Sequence, residues 1–141
     1  MESRIDKTVA LFEGGYNCAQ SVFAAYADLF GMEFQQALRI SCPFGGGFAG
    51  MRMTCGAVSS MAMLAGLFNG SDTAGDRQGR ERNFETVRTM ADGFRAEFGS
   101  IVCAQLLGLE PGLPSGLRKS SCKDKVRFCA ALVEKHLLPE K

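Results

Sequence analysis

Apolar residues recur at helical spacing along most of this chain, and no other feature constrains the fold as strongly. Phe84, Val87, Ala91, Phe94 and Phe98 follow one another at intervals of three or four residues, which places them on one face of a helix. Gly99 comes directly after this run and is the expected end of that helix. Strand-like alternation of polar and apolar residues is scarce. The pattern predicts an all-α helical bundle.

The same periodicity, read together with capping residues, predicts five to seven helices in one domain that spans residues 1–141. Ser3 and Asp6 are spaced as a variant of the capping box that begins a first helix. Asn17 and Gln20 have capping-box spacing for a second helix, which we expect to carry Leu29 on its buried face. Two further helices are predicted at 33–40 and from near 54 to about 68, and the helix with the Phe84 to Phe98 stripe follows them. A short helix is expected at 101–107 with Ser100 as its cap, and a last helix from 122 to 138. The stretch 110–116 between these two is expected to be irregular.

A glycine-rich loop is expected before the helix that begins near Thr54. Four of the eight residues from Pro43 to Gly50 are glycine, and glycine adopts conformations that other residues reach only at a cost. The loop lacks the Gly-Lys-Ser/Thr ending of a phosphate-binding loop. We expect its backbone, together with a glycine of the following helix, to pass close to Cys55 and to border whatever group Cys55 contacts. The glycines expected to do this are Gly45, Gly46, Gly47 and Gly56. Small residues in that helix, Ala57, Ala62, Ala65 and Gly66, predict close approach to a neighbouring helix and a central position.

Charge and cysteine content narrow the function. The formal charge is +1, so there is no global field to attract nucleic acid or an anionic membrane. No signal peptide or membrane-inserting segment is evident, and we expect a cytoplasmic protein. The chain has six cysteines, and reducing compartments disfavour structural disulfides. Metal binding and thiol redox chemistry are therefore the leading possibilities.

Four of the cysteines fall near predicted helix starts: Cys18, Cys55, Cys103 and Cys122. A helix N-terminus offers unpaired N–H groups and the positive end of the macrodipole, which favour a thiolate. For any one cysteine simple packing is the commoner explanation, but four in the same setting suggest that at least two cooperate. Because no CxxC occurs, cooperating thiols must meet through the fold.

The other two cysteines and the single histidine have structural interpretations. Cys42 precedes Pro43, which favours an extended conformation. Cys129 lies with Val126, Val133 and Leu137 on the apolar stripe of the last helix and is expected to fill the core. His136, in the last turn of that helix, suits the dipole there. Cations surround Cys122: Arg118, Lys119, Lys123, Lys125 and Arg127. They favour its thiolate, attract an acidic partner or form a solvated basic face, which is the commoner arrangement.

Two short segments and two single cysteines carry a family resemblance. The segments are Tyr16-Asn17-Cys18-Ala19-Gln20-Ser21-Val22 and Thr54-Cys55-Gly56-Ala57-Val58-Ser59, and the single residues are Cys103 and Cys122. With them the chain resembles the C_GCAxxG_C_C family of redox-active proteins over nearly its whole length. The resemblance implies that Cys18, Cys55, Cys103 and Cys122 are the family's characteristic cysteines, with a proposed redox role in prokaryotic cells. The family motif usually closes with glycine where this chain has Ser60.

Three hypotheses remain open at this stage. The first is a dithiol/disulfide or electron-transfer protein with Cys55 at its centre, Cys18, Cys103 and Cys122 as its partners, and a redox protein or small electron acceptor as the reaction partner. The second is an iron-sulfur or zinc module that uses these four cysteines as metal ligands. The third is a non-catalytic adaptor or homodimeric bundle whose cysteines only pack.

Overall fold

The computed structural model of the chain describes residues 2–109 and 122–138, and within them it is all-helical. The α-helices are α1 (Ile5–Glu13), α2 (Cys18–Tyr26), α3 (Phe34–Ser41), α4 (Gly56–Asn69), α5 (Arg77–Phe98), α6 (Cys103–Leu106) and α7 (Cys122–Leu137). Two 3₁₀ helices, Ala27–Phe30 and Cys42–Phe44, extend α2 and α3. The predicted fold class is thus confirmed. The predicted irregular stretch at 110–116 and the residues Arg118, Lys119 and Ser121 lie outside the described residues.

Side-chain caps begin α2, α3 and α5, whereas α1, α4 and α6 begin without one. The side chain of Asn17 accepts a hydrogen bond from the Gln20 N–H at 2.9 Å, and the Gln20 side chain accepts one from the Asn17 N–H at 3.1 Å, which confirms the predicted capping box of α2. The predicted box at Ser3 is wrong, because α1 begins at Ile5 and its N-cap, Arg4, makes no side-chain cap. The Ser3 hydroxyl donates instead to Glu134 of α7, a tertiary contact that the local spacing does not reveal.

Two apolar residues expected on buried faces are exposed. Leu29 is 37 % exposed because the chain after Tyr26 continues as a 3₁₀ helix, which rotates that position off the α-helical stripe. Phe84 is 46 % exposed. At this level α5 faces α4 with Asn83, whose amide donates to the Ala65 carbonyl at 3.0 Å, so the adjacent Phe84 points away. The predicted end of α5 at Gly99 is confirmed by its left-handed φ of 91°.

Helix α4 occupies the centre of the bundle and packs against α2, α5 and α7. Ala57 and Ala65 are fully buried on it, as their small size predicts, whereas Gly66 is exposed, contrary to expectation. Ser60 stands where the family motif has glycine, and its hydroxyl donates to the Ala19 carbonyl of α2 at 2.6 Å. The polar group is therefore satisfied, and α2 and α4 still pack closely.

Helices α2 and α7 run in the same direction, and a polar cluster joins their C-terminal parts to the start of α1. The Tyr26 hydroxyl and the Arg4 backbone N–H both donate to Glu134, each at 2.6 Å. The Arg4 guanidinium donates to the Ala25 carbonyl at 2.8 Å and pairs with Asp28 at 2.6 Å. We call Arg4, Tyr26, Asp28 and Glu134 the Glu134 clasp.

Among the described residues, no helix combines the length and apolar character that a membrane crossing requires.

Candidate functional site

The opposite end of α2 and α7 holds a cavity of about 190 Å³, which we call the thiol cavity. Four cysteine side chains line it: Cys18, Cys55, Cys103 and Cys122. These are the four that the sequence singled out, although they are up to about a hundred residues apart along the chain. The fold therefore gathers in one place the thiols that the sequence leaves scattered.

Each of these cysteines lies at the start of a helix. Cys18 and Cys103 are the first residues of α2 and α6, Cys55 is the N-cap of α4, and Cys122 is the first residue of α7. The predicted Ser100 cap is wrong in detail, since α6 begins at Cys103 with Val102 as its N-cap. The Ser100 hydroxyl accepts a hydrogen bond from the Val102 N–H at 2.9 Å, so it orders the turn just before the helix.

An isolated antiparallel bridge between Thr54 and Val102 fixes the backbone next to two of the thiols, Cys55 and Cys103. The Cys55 N–H donates to the Ile101 carbonyl at 2.8 Å, and the Cys103 N–H donates to the Met53 carbonyl at 2.5 Å. In such pairing Cys55 and Cys103 lie on the same face as diagonal neighbours, about 7–8 Å apart. The bridge therefore keeps the backbones of Cys55 and Cys103 next to each other at the cavity.

The glycine-rich loop packs directly against the thiols, where side chains do not fit. A Cβ atom on Gly47, whose φ is 72°, would lie 2.6 Å from the Cys103 Cβ. One on Gly56 would lie 2.8 Å from the Cys18 Sγ, and one on Gly45 would collide with the Asn17 side chain. Gly46, with φ 65°, lines the cavity beside Gly56. Absent side chains at these positions let the backbone approach the sulfur atoms.

Two cations also line the thiol cavity. Arg52 adopts a left-handed φ of 63°, which costs a non-glycine residue about 1–2 kcal/mol. Its backbone N–H donates to the Gly46 carbonyl at 3.0 Å, and its guanidinium donates to the Cys103 Sγ at 3.7 Å. A thiolate formed on Cys103 therefore has a cationic partner. Sequence reasoning missed Arg52, because a positive φ outside glycine carries no sequence signal.

Lys125 is the second cation, and its side chain is only 3 % exposed. Its ammonium lies 5.8 Å from the centre of the Phe98 ring. The solvated basic face expected around Cys122 is therefore wrong for this residue, which turns inward because it lies beside Val126 on the buried side of α7. Lys123 and Arg127 are exposed and pair with Glu13 and Asp6 of α1 at 3.2 and 3.4 Å.

Burial, rather than the position at a helix start, has the largest effect on the pKa values of Cys18 and Cys55. It raises the pKa of Cys18, an effect that the Gly46 backbone N–H opposes by hydrogen bonding to the sulfur and that the sulfurs of Cys122 and Cys103 reinforce. Burial also raises the pKa of Cys55 to about 12, with a further contribution from Cys18. The expectation that helix starts favour thiolates is thus wrong for Cys18 and Cys55, because the loss of hydration outweighs the helix dipole.

The remaining candidate residues lie outside the thiol cavity. Cys42 is exposed and helical, with φ −49° and ψ −48°, so the predicted extended conformation is wrong. Pro43 lies in the first turn of the 3₁₀ helix that begins at Cys42, where its missing N–H leaves no bond unmade. Cys129 is fully buried on the apolar face of α7, as predicted, and burial raises its pKa. His136 lies in the last turn of α7, and burial lowers its pKa.

Over residues 2–109 and 122–138, no three His, Cys, Asp or Glu side chains are arranged to hold a metal ion.

The chain is thus an all-α bundle in which four helix-start thiols surround one cavity. The chain belongs to the family described as Putative redox-active protein (C_GCAxxG_C_C), whose sequence model matches residues 16–136. The matched residues include all four thiols of the cavity and the glycine-rich loop. No curated protein and no solved structure matches the chain.

Proposed function

We propose that this protein is a dithiol/disulfide redox protein whose working centre is the thiol cavity. The observation that carries the proposal is that Cys18, Cys55, Cys103 and Cys122 line a single cavity. Thiols in one cavity can exchange a disulfide among themselves through thiolate attack. The redox character of the family agrees with this chemistry.

Within the centre, Cys103 is our candidate for the attacking thiol. Its side chain is partly exposed, and the Arg52 guanidinium lies 3.7 Å from its sulfur. This guanidinium is placed to donate a hydrogen bond to the Cys103 sulfur during the attack. Cys55 is a poor candidate, because it is 5 % exposed and its pKa is raised to about 12. The proposal therefore moves the chemical centre away from Cys55.

Cys18 is our candidate for the resolving thiol. Its electrostatic coupling extends to Cys122, Cys103 and Cys55, which makes it the thiol that the other three share. The Gly46 N–H opposes part of the rise that burial causes in the pKa of Cys18. Cys122, which is also partly exposed, is the alternative partner for Cys18.

The reaction balances with an external disulfide as oxidant. The Cys103 thiolate attacks one sulfur of that disulfide, the external S–S bond breaks, and the first leaving group departs as a thiolate that takes up a proton. The Cys18 thiol loses its proton and attacks the Cys103 sulfur, which releases the second leaving group and forms the protein disulfide. Two protein thiols are oxidised and one external disulfide is reduced.

Mass spectrometry of single Cys→Ser variants tests these roles. After exposure to an external disulfide, the unaltered protein should lose two hydrogens and keep no adduct. Cys18→Ser should retain a mixed disulfide on Cys103, whereas Cys103→Ser should form neither product at an appreciable rate. Cys42→Ser is the matched control, because Cys42 is exposed and lies outside the cavity. Loss of two hydrogens in both Cys18→Ser and Cys103→Ser would overturn the assignment.

The same preparation separates the other two hypotheses. Four thiols on one cavity are also ligands of the type that zinc and iron-sulfur clusters use. If the native mass of protein purified without oxygen includes zinc, or iron with sulfide, the dithiol mechanism is wrong. If the four Cys→Ser variants are destabilised and the parent protein forms no disulfide, an adaptor role explains the cysteines better.

A further inference from the structure

The lining of the thiol cavity is mostly apolar, and the two charged side chains among the described residues on it are both cations. Arg52 and Lys125 both line it, and none of the described residues that line it is an aspartate or glutamate. Lys125 is nearly fully buried, and the guanidinium of Arg52 reaches the Cys103 sulfur. Because Arg52 is exposed, water screens its charge, and its attraction for an anion acts mainly at the short range of the Cys103 sulfur. The nearly buried Lys125 adds positive charge at the same cavity.

The backbone adds to this positive field. Helices α2, α4 and α7 all begin at the cavity, at Cys18, Gly56 and Cys122, and they are nine, 14 and 16 residues long. The positive ends of their dipoles therefore meet at one place. Each helix N-terminus alone is ordinary, but here they surround a cavity that two side-chain cations already line.

The backbone of Arg52 indicates that its position has a purpose beyond packing. The residue keeps a left-handed φ of 63°, and its carbonyl accepts a hydrogen bond from the Ala104 N–H at 3.1 Å. Strained residues of this kind persist where the surrounding structure holds them, and they are concentrated at functional sites. Here the strain holds a guanidinium beside a thiol.

From the lining we propose that the thiol cavity is selective for small anions that carry a sulfur–sulfur bond, with Arg52 and Lys125 as the residues that bind the charge. The inference rests on the proposed dithiol function and names its substrate class. The cavity volume of about 190 Å³ suits a compact anion. Cys103 supplies the nucleophile that cleaves such a bond, and Cys18 completes the protein disulfide.

Tetrathionate is a suitable probe, because it is a small dianion that thiols reduce. The Cys103 thiolate attacks an inner sulfur, the central S–S bond breaks, and one thiosulfate leaves. Cys18 then attacks the Cys103 sulfur, and the second thiosulfate leaves with the electron pair of the broken bond. Two thiols and one tetrathionate give one protein disulfide, two thiosulfate ions and two protons.

The experiment compares oxidation by tetrathionate with oxidation by the neutral 2-hydroxyethyl disulfide. The ratio of the two rates for the folded protein is divided by the same ratio for the urea-unfolded chain, which removes the intrinsic reactivity of the reagents. We expect the folded protein to favour tetrathionate by roughly tenfold or more. Arg52→Gln and Lys125→Met should each lower this preference, and Arg52→Lys should restore much of it.

A remote cation provides the control for overall charge. Arg80 is exposed near the start of α5, and about 27 Å of helix separate it from Phe98, which packs beside Lys125. Arg80→Gln removes the same charge and should leave the preference unchanged. Circular dichroism establishes that each variant is folded, and if Lys125→Met unfolds, Arg52→Gln decides the question.

A second pair of reagents distinguishes failure of this inference from failure of the proposed function. Iodoacetate and iodoacetamide are similar in size, differ in charge, and alkylate single thiols without any disulfide step. A preference for iodoacetate that Arg52→Gln abolishes supports the anion-selective cavity even if no disulfide forms. Equal relative rates in folded and unfolded protein, or an unchanged preference in Arg52→Gln, would overturn the inference.

Discussion

The two ends of α2 and α7 are built from different kinds of contact. At the Glu134 clasp, one carboxylate accepts hydrogen bonds from the Tyr26 hydroxyl and the Arg4 N–H. At the thiol cavity, the same two helices present Cys18 and Cys122 beside a loop of positive-φ residues. One end is built from satisfied polar contacts, and the other from thiols and backbone strain. The difference indicates that the clasp holds the bundle together while the cavity end is kept for chemistry.

This division of labour has a physical basis. Backbone strain costs stability, and a small protein has only about 5–15 kcal/mol of it in total. A hydrogen-bonded cluster at the far end of the same helices offsets that cost without entering the reactive region. Changes at one end should therefore affect stability, and changes at the other should affect thiol reactivity.

The largest expected effect lies at the clasp. Glu134→Ala leaves the Tyr26 hydroxyl, on a fully buried side chain, and the Arg4 N–H without their acceptor, and should lower the free energy of unfolding by about 3 kcal/mol. Urea denaturation measures this loss. Asp92→Ala, which breaks only the exposed pair with Arg95, should cost less than about 1 kcal/mol. If Glu134→Ala also alters the rate of disulfide formation under native conditions, the two ends are not independent.

The next effect lies at the cavity and compares two glycines with similar backbones. Gly47 and Gly75 have φ values of 72° and 80°, but a Cβ on Gly47 meets Cys103 and Arg52, whereas one on Gly75 meets open space. Gly47→Ala should cost about 2 kcal/mol or more and slow the oxidation of Cys103, while Gly75→Ala should cost about 1 kcal/mol and leave oxidation unchanged. Stability and oxidation rate are measured on both variants. Equal effects of the two substitutions on oxidation would show that the loop does not position the thiol.

The smallest effect concerns the pH dependence of stability. The pKa of Cys55 is raised to about 12 by burial, so the folded state holds the thiol proton more tightly than the unfolded chain does. Its contribution to stability is complete below the unfolded pKa near 9.0 and falls as the pH rises towards 12. We expect a loss of about 1 kcal/mol by pH 10 relative to Cys55→Ala. Parallel pH profiles for the two proteins would contradict the buried thiol.

The parts of the fold that could be predicted from sequence depend on local chemistry. The Asn17 box and the Gly99 stop are decided within a few residues, and both are confirmed. The Ser3 box failed because Glu134, far away in sequence, provides a partner for that hydroxyl. Leu29 was placed on the wrong face because the α-helix gives way to a 3₁₀ helix after Tyr26.

The candidate site also has properties that could be predicted from the sequence and properties that could not. The position of four cysteines at helix starts is a local property, and the sequence revealed it. Their proton affinity is not local, because it depends on how much of the rest of the chain covers each sulfur, as the raised pKa values of Cys18 and Cys55 illustrate. The bridge between Thr54 and Val102 joins segments that no periodic pattern relates. The inward turn of Lys125 could have been suspected from its place next to Val126 on the apolar stripe.

The left-handed backbone of Arg52 has a consequence for anyone who tries to make this protein more heat-resistant. Glycine is the replacement that relieves such a conformation, and a screen for thermal survival would be expected to favour Arg52→Gly. The selected protein would keep its helices and lose the guanidinium beside Cys103. If thermostable variants were only sequenced and not assayed for reactivity, the recurrent loss of Arg52 among them would identify this position.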